Sequence, residues 1–282
     1  MGKGRAPGKV ILAGEHFVLH GAPALAVPLL TRGVQVEVGA GGDTWEVQPS
    51  VLSHLLGMLK GLDLDPDEVS VRVESTLPIG AGLGGSAALA VALVRAVRGG
   101  AASPEAVRAE AHELEKLAHG KPSGIDDAVA TWEAPVLLAR DRSLSVLDLP
   151  VPPGLWIGVT SDRTSTREAV GQVADLAARE PERVHGLAQR SAELCDQILV
   201  SWEARDWAAL GQVLHQGHGL LQSLEVSTPS LDRLVESALS QGAWGAKLTG
   251  GGLGGAVVAL APPDLDLSDA WRDAGAQEVI AS

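Results

Sequence analysis

The feature that most constrains this chain is a glycine-dense segment from Pro78 to Ala88, with the sequence PIGAGLGGSAA. It follows an alternating apolar and polar run at 69–74, which predicts a half-buried strand, and it leads into an apolar stretch, 86–98, which predicts a buried helix. Glycine lets backbone N–H groups approach a ligand closely, and a helix start adds unpaired donors and a positive dipole end. The segment therefore predicts a phosphate-binding loop, with a purely structural turn as the alternative.

Two well-known glycine patterns do not fit this segment. Gly80, Gly82 and Gly85 match G-x-G-x-x-G, but a dinucleotide-binding unit also needs an acidic residue about 20 positions further on, after a second strand. Glu105 stands at that distance inside a predicted helix start, so its context is wrong. The Walker A pattern fails too, because no Gly-Lys-Ser/Thr closes the run. An NAD-dependent oxidoreductase is thus a distant alternative.

A second chemically suited segment runs from Glu115 to Asp126. A helix predicted over 103–120 carries Glu115 and His119 one turn apart, and a glycine-containing loop then delivers Asp126. One carboxylate on a helix and another on the adjoining loop can hold Mg²⁺ and orient a hydroxyl, respectively. A solvated helix face and a capping aspartate are the structural alternatives.

Three of the six lysines fall in the segments that these patterns single out. Lys9 opens an apolar run that predicts a strand, Lys121 lies in the loop before Asp126, and Lys247 stands two residues before Thr249 and a second glycine run, 250–255. This placement favours a functional role for the lysines, although Lys121 also fits a solvent-facing loop charge.

The charge balance limits the partners of the chain. Its 22 basic and 35 acidic residues give a net charge of −13, which disfavours nucleic acid and anionic membranes. No apolar stretch reaches the roughly 20 residues that span a bilayer, and the single Cys195 fits a reducing compartment. We expect a cytoplasmic protein with no nucleic-acid or membrane partner. The oligomeric state stays open, with a homodimer as one option.

The order of the predicted elements indicates an α+β fold with two lobes. Strands cluster early, including a hairpin predicted from the runs 35–38 and 45–47. Helical periodicity dominates later, and it predicts helices at about 166–180, 183–203, 206–223 and 229–240. A proline-rich stretch near residue 150 predicts a boundary between domains at 1–150 and 151–282.

Three blocks in the right order resemble the GHMP family of small-molecule kinases, in the form found in its mevalonate-phosphorylating members. The first block is Ala6–His16, the second is Pro78–Ala88, and the third is Lys247–Gly255. The loop His119–Asp126, with the sequence HGKPSGID, resembles the substrate loop of those members. The resemblance implies a two-lobed GHMP kinase fold with the active site between the lobes, an N-terminal ATP-binding and catalytic domain and a C-terminal GHMP domain.

The resemblance also implies a role for each matching residue. Ser86 and Glu115 would hold Mg²⁺, Asp126 would accept the proton of the attacking hydroxyl or orient it, and Lys9 would stabilise the ionised Asp126 and the transferring phosphoryl group. The residues that would wrap the ATP phosphates are Pro78, Gly80, Ala81, Gly82, Leu83, Gly84, Gly85, Ser86 and Ala87. The residues that would bind the acceptor are Glu15, His16, Thr249 and Arg167.

The activity that the resemblance implies is phosphorylation of (R)-mevalonate by ATP to 5-phosphomevalonate, a step of isoprenoid precursor synthesis, with ATP and Mg²⁺ as cofactors. One alternative is a sister kinase that acts on phosphomevalonate or on another hydroxyl of mevalonate. Another is a catalytically inactive family member that binds a ligand or partner. The joint presence of Lys9, Ser86, Glu115 and Asp126 speaks against that second alternative.

Overall fold

A computed structural model describes residues 2–41, 45–119, 122–162 and 165–282. It divides the chain into two compact units. Unit 1 contains the described residues up to Lys9, together with Pro28–Leu77 and Gly84–Glu133, and unit 2 contains Val10–Val27, Pro78–Leu83 and Ala134–Ser282. These units are not continuous in sequence, and the division into domains 1–150 and 151–282 stays a prediction.

Two long strands contribute residues to both units. They are β1 (Lys3–Ala13) and β2 (Ala24–Ala40), and they pair with each other. The other elements of unit 1 are β3 (Trp45–Glu46), α1 (Pro49–Gly61), β4 (Val69–Ser75), α2 (Gly85–Arg98), α3 (Pro104–His119) and α4 (Ile125–Trp132).

The hairpin predicted from runs 35–38 and 45–47 is wrong. Strand β2 pairs antiparallel with β4, from Val34 opposite Ser75 to Ala40 opposite Val69. Strand β3 then adds to β4 in parallel, with Trp45 opposite Val71. The apolar alternation of β4 matches that of β2, so burial of one face selects β4 as the neighbour of β2. The predicted strand at 69–74 is confirmed.

Helix α2 is the buried helix that the sequence predicts. It buries all residues from Ala87 to Val94 and also Ala96, and it packs against both α3 and α4. Helix α3 begins at Pro104, where the Ser103 hydroxyl accepts a hydrogen bond from the Ala106 N–H. The predicted stop of this helix, Gly120, lies outside the described residues.

Unit 2 is built on an antiparallel sheet in the order β10-β7-β9-β8. Its core joins this sheet to the surrounding helices and includes Leu248, Val257 and Trp271. The elements of unit 2 after β2 are β5 (Val136–Leu138), β6 (Leu144–Val146), β7 (Leu155–Val159), α5 (Thr166–Arg179), α6 (Pro181–Glu203), α7 (Trp207–Ser223), α8 (Pro229–Ser240), β8 (Gly245–Thr249), β9 (Ala256–Leu260), α9 (Ser268–Asp273) and β10 (Glu278–Ala281).

The four helices predicted in this half are confirmed as α5 to α8. Side-chain caps explain three of their starts, because Ser165, Asp206 and Thr228 each accept a backbone hydrogen bond from the first turn. Across the described ranges, none of the helices combines the length and apolar character needed to cross a membrane.

Candidate active site

The glycine loop before α2 alternates left-handed glycines with buried apolar residues. Gly80, Gly82 and Gly84 have φ angles of +70°, +76° and +74°, which side-chain-bearing residues rarely adopt. Ala81 and Leu83, between them, are buried. Gly84 immediately precedes α2, whose first amide groups therefore begin at the end of the loop. The predicted nucleotide-binding residues from Pro78 to Ala87 thus form this loop and the first turn of α2, an arrangement suited to an anion.

The two predicted metal-binding residues, Ser86 in the first turn of α2 and Glu115 of α3, are in direct contact. The Ser86 hydroxyl donates a hydrogen bond to Glu115 Oε1 at 2.5 Å. Burial raises the pKa of Glu115 to about 7, although the Ser86 hydrogen bond opposes this shift. A hydroxyl oxygen and a carboxylate are the hard donors that Mg²⁺ prefers, and Mg²⁺ commonly takes few protein ligands when it also binds substrate phosphates. The donor set therefore fits the metal.

His54 of α1 is a neighbour of this pair that the sequence analysis missed. Its Nε2 lies 2.9 Å from Ser86 Oγ, and its side chain is partly buried. No motif surrounds His54, and 32 positions separate it from Ser86. Only the packing of unit 1 reveals it as part of the site.

Lys9 and Asp126 form the ion pair that the resemblance implies. Their Nζ and Oδ1 atoms are 3.4 Å apart, with the Lys9 side chain 5% exposed and that of Asp126 38% exposed. A Cβ at Gly84 would lie 2.8 Å from Lys9 Cγ, so the missing side chain makes room for the lysine stem. Asp126 stands in the first turn of α4, which begins after Gly124 with φ +85°. One buried cation thus faces an accessible carboxylate.

Asp127, the next residue along α4, is buried and lies close to Arg108 and His112 of α3. Its Oδ2 lies 3.5 Å from Arg108 Nε and 3.2 Å from His112 Nδ1. Burial raises the pKa of Asp127, while the Arg108 guanidinium lowers it. Arg108 also stacks over the Trp132 ring, 5.5 Å from its centre. These contacts connect both ends of α4 to α3. The His119 side chain, Gly120 and Lys121 lie outside the described residues.

In unit 2, Glu15 and Lys247 form an ion pair that is almost wholly buried. Their side chains are 2% and 1% exposed. The Lys247 ammonium also donates to the carbonyl oxygens of Leu248, at 2.8 Å, and Ile11, at 3.4 Å. Both residues of the pair line a cavity of about 10 Å³, enough for about one water molecule. Lys247 therefore fixes Glu15 at the end of β1.

His16 offers an acceptor nitrogen in a buried setting. Its Nε2 lies 2.7 Å from the Gly251 carbonyl oxygen, which can only accept, so this nitrogen carries the proton. Burial lowers the pKa of His16 and favours the neutral ring, whose Nδ1 is then an acceptor. Within the described part of the chain this buried Nδ1 has no hydrogen-bond partner. His16 also has φ +54°, a strained backbone position for a residue other than glycine.

Thr249 and Arg167 differ in what surrounds them. The Thr249 hydroxyl accepts from the Ile11 N–H at 2.8 Å and donates to the Ile11 carbonyl at 3.2 Å, so it ties β8 to β1. Arg167 is exposed in the first turn of α5. The preceding Thr166 lies 3.6 Å from the position of a Cβ at Gly251, the partner of His16. The start of α5 is therefore close to His16.

The second glycine run lies against the first within unit 2. A Cβ at Gly250 would come within 2.8 Å of the Gly82 carbonyl oxygen, and one at Gly255 within 3.1 Å of that of Ala81. Gly250 and Gly255 have φ angles of +84° and +88°. The run is glycine-rich because two backbones approach closely there.

The chain is also similar in sequence to known proteins. The family model described as the GHMP kinases N terminal domain matches residues 50–133, and that of the GHMP kinases C terminal region matches 194–279. The mevalonate kinase of Thermococcus sibiricus is 31% identical, covering 98% of this chain and 94% of its own length. That of Aeropyrum pernix is 34% identical, covering 90% and 87%, respectively.

Solved structures give the same result. The crystal structure of L. major mevalonate kinase in complex with R-mevalonate superposes with a TM-score of 0.81 and 27% identity, covering 97% of this chain and 90% of that one. The Streptococcus pneumoniae phosphomevalonate kinase has a TM-score of 0.72 at 18% identity, which shows a shared fold. Together, the two family models, the curated relatives and the fold establish that this chain belongs to the GHMP kinase family.

Proposed function

We propose that this protein transfers the γ-phosphoryl group of ATP to the 5-hydroxyl of (R)-mevalonate, giving ADP and 5-phosphomevalonate. The observation that carries the proposal is the Lys9–Asp126 pair, an accessible carboxylate next to a buried cation in the first turn of α4. The mevalonate kinase relatives and the structure of the L. major enzyme with R-mevalonate support the choice of acceptor.

Nucleotide binding is assigned to the glycine loop and the start of α2. The amide groups there and the positive end of the helix suit the phosphates of ATP. Ser86 and Glu115 would hold Mg²⁺, which supplies neutralisation of phosphate charge when bound. Phosphoryl transfer depends mostly on positioning and charge stabilisation, so these groups are sufficient on the enzyme side.

Asp126 handles the proton of the acceptor hydroxyl. As the hydroxyl oxygen forms a bond to the γ-phosphorus, the bond between that phosphorus and the ADP oxygen breaks, and the hydroxyl proton passes to Asp126. The Lys9 ammonium, 3.4 Å from Asp126, stabilises negative charge on the transferring group.

Acceptor binding is assigned to Glu15, His16, Thr249 and Arg167 of unit 2. The buried Nδ1 of His16 suits a hydroxyl donor, because no hydrogen bond to it occurs among the described residues. Thr249 contributes by holding β8 to β1. Arg167 follows Thr166, which lies close to Gly251, the hydrogen-bond partner of His16. Its guanidinium suits the mevalonate carboxylate.

The role of Arg167 has a direct test. Arg167→Ala should raise the KM for mevalonate about tenfold or more, since a charged hydrogen bond to a carboxylate contributes about 1.5–3 kcal/mol, and it should leave the KM for ATP unchanged. Steady-state kinetics measures both constants. Arg179→Ala, at the other end of the same helix, is the matched control. An unchanged KM for mevalonate would remove Arg167 from the site.

The experiment that tests the function is a panel of acceptors with ATP and Mg²⁺, read out by ADP formation. We expect turnover with mevalonate and none with homoserine or galactose. Product NMR then locates the phosphate, which distinguishes the 5-hydroxyl from another hydroxyl, and turnover with phosphomevalonate alone would identify the sister kinase. ATP binding without turnover of any acceptor would favour an inactive binding protein.

A further inference from the structure

We infer that His54 is a positioning residue of the metal–nucleotide site, where its Nε2–H fixes the Ser86 hydroxyl in the orientation that binds a divalent cation. The inference rests on the proposed function to the extent that Ser86 and Glu115 bind the cation that accompanies the nucleotide. It adds a third side chain, from α1, to a pair that α2 and α3 supply.

The direction of the two hydrogen bonds follows from the proton count. A serine hydroxyl has one proton and two lone pairs. With Glu115 ionised, as it must be to ligate a cation, the proton of Ser86 goes to Glu115 Oε1. The contact of 2.9 Å between His54 Nε2 and Ser86 Oγ therefore has the imidazole as donor.

This arrangement sets the rotation of the hydroxyl. With its proton directed at Glu115 and one lone pair accepting from His54, the hydroxyl is held in one rotation and presents its oxygen to the cation in one orientation. Hydrogen bonds from neighbouring side chains commonly orient metal ligands in this way, and their loss typically weakens metal binding. His54 would act on the cation only through Ser86.

The packing of α1 determines the position of His54. Helix α1 buries Leu55, Met58 and Leu59 and packs against α3, the helix that carries Glu115. The imidazole is partly buried next to these anchoring residues. The packing of α1 on α3 therefore places His54 and Glu115 around Ser86.

Calorimetric titration with ADP, in Mg²⁺ and separately in EDTA, tests the inference without turnover or acceptor. His54→Leu should weaken ADP binding in Mg²⁺ by about 2- to 12-fold, the value of one ordinary hydrogen bond, and leave binding in EDTA unchanged. His54→Gln, whose side-chain amide can place an N–H at a similar distance from Ser86 Oγ, should keep the wild-type affinity for ADP in Mg²⁺. His185→Leu, at an exposed histidine of α6, is the control.

Two further comparisons isolate the action through Ser86. In a Ser86→Ala background, His54→Leu should cause no additional loss of affinity in Mg²⁺. Should His54→Leu not fold, His54→Asn takes its place, because the shorter amide does not reach Ser86 and should behave as a loss relative to His54→Gln.

The contradicting outcomes are equally specific. If His54→Leu bound ADP in Mg²⁺ as tightly as wild type does, or lost equal affinity for ADP in Mg²⁺ and in EDTA, the role of His54 would be overturned. The proposed function would remain intact. A wild-type chain that binds no ADP in Mg²⁺ would overturn the proposed function and this inference together.

Discussion

The ionisation of Glu115 is strongly set by its surroundings. Burial raises its pKa from 4.5 to about 7, so the folded chain binds this proton more tightly than the unfolded chain does. The resulting stabilisation is complete below about pH 4.5 and is lost as the pH rises through 7. Above pH 7, the folded protein thus holds a costly buried carboxylate at the proposed cation site.

Glu115→Gln should therefore change stability in a pH-dependent way. Without divalent cations, we expect the free energy of unfolding of the variant, relative to wild type, to rise between pH 5 and pH 8 by up to about 3 kcal/mol, at about 1.4 kcal/mol per pKa unit. Urea unfolding at the two pH values measures it. Glu113→Gln, an exposed change on the same helix, should show no such rise. A pH-independent difference for Glu115→Gln would contradict the shift.

At the residue scale, the sequence motifs identify residues with a chemical role better than they identify the residues that those side chains contact. The Lys9–Asp126 pair could be anticipated from the family resemblance, and the structure places the two side chains 3.4 Å apart. The sequence analysis favours a functional role for Lys247 but does not identify its partner, Glu15, 232 positions away. His54 stands in no motif at all. Such partners are defined by tertiary packing, which a local pattern cannot reveal.

At the scale of elements, the glycine loop and α2 offer a matched pair of substitutions. Gly84→Ala should cost about 1–2 kcal/mol for its left-handed backbone and should also displace Lys9, since the new Cβ would lie 2.8 Å from Lys9 Cγ. Gly85→Ala meets nothing within 4 Å and lies within α2, where alanine is preferred, so stability should stay level or rise by about 1 kcal/mol.

Thermal unfolding and turnover measure both changes. We expect Gly84→Ala to lose stability and kcat together, and Gly85→Ala to keep both. Equal tolerance at the two positions would show that the loop geometry described for Gly84 is wrong.

The elements also show what local patterns can and cannot predict. Helices α5 to α8 were predictable from their apolar periodicity, and α5, α7 and α8 also begin at capping side chains. The hairpin prediction failed because glycine marks a turn without specifying the next strand partner, and β3 pairs with β4. Helix α1 was missed, although Pro49 at its start is a usual first-turn residue.

At the scale of the whole molecule, the buried ion pair between Glu15 and Lys247 links distant parts of the chain. Lys247→Met should destabilise the protein by about 3–5 kcal/mol, because it leaves a buried carboxylate without its cation. Adding Glu15→Gln should recover part of this loss. Chemical denaturation of the two single variants and the double variant measures the coupling. Additive losses would mean that the pair contributes nothing as a pair.

The two-unit organisation is only partly visible in the sequence. The α+β class and the family resemblance were predictable from element order and from the three blocks. The discontinuous make-up of the units was not, because strands β1 and β2 each contribute residues to both. A proline-rich stretch marks a connection between elements, whereas the assignment of a strand to a unit depends on contacts made elsewhere in the chain.

The most direct test of the central claim is the turnover number of Asp126→Asn with ATP, Mg²⁺ and mevalonate. If Asp126 handles the proton of the acceptor, kcat should fall about 10²-fold or more, while the KM for ATP and the thermal stability stay close to wild type. Asp269→Asn, an exposed aspartate in the first turn of α9, should leave kcat unchanged. Near-normal turnover of Asp126→Asn would contradict the account.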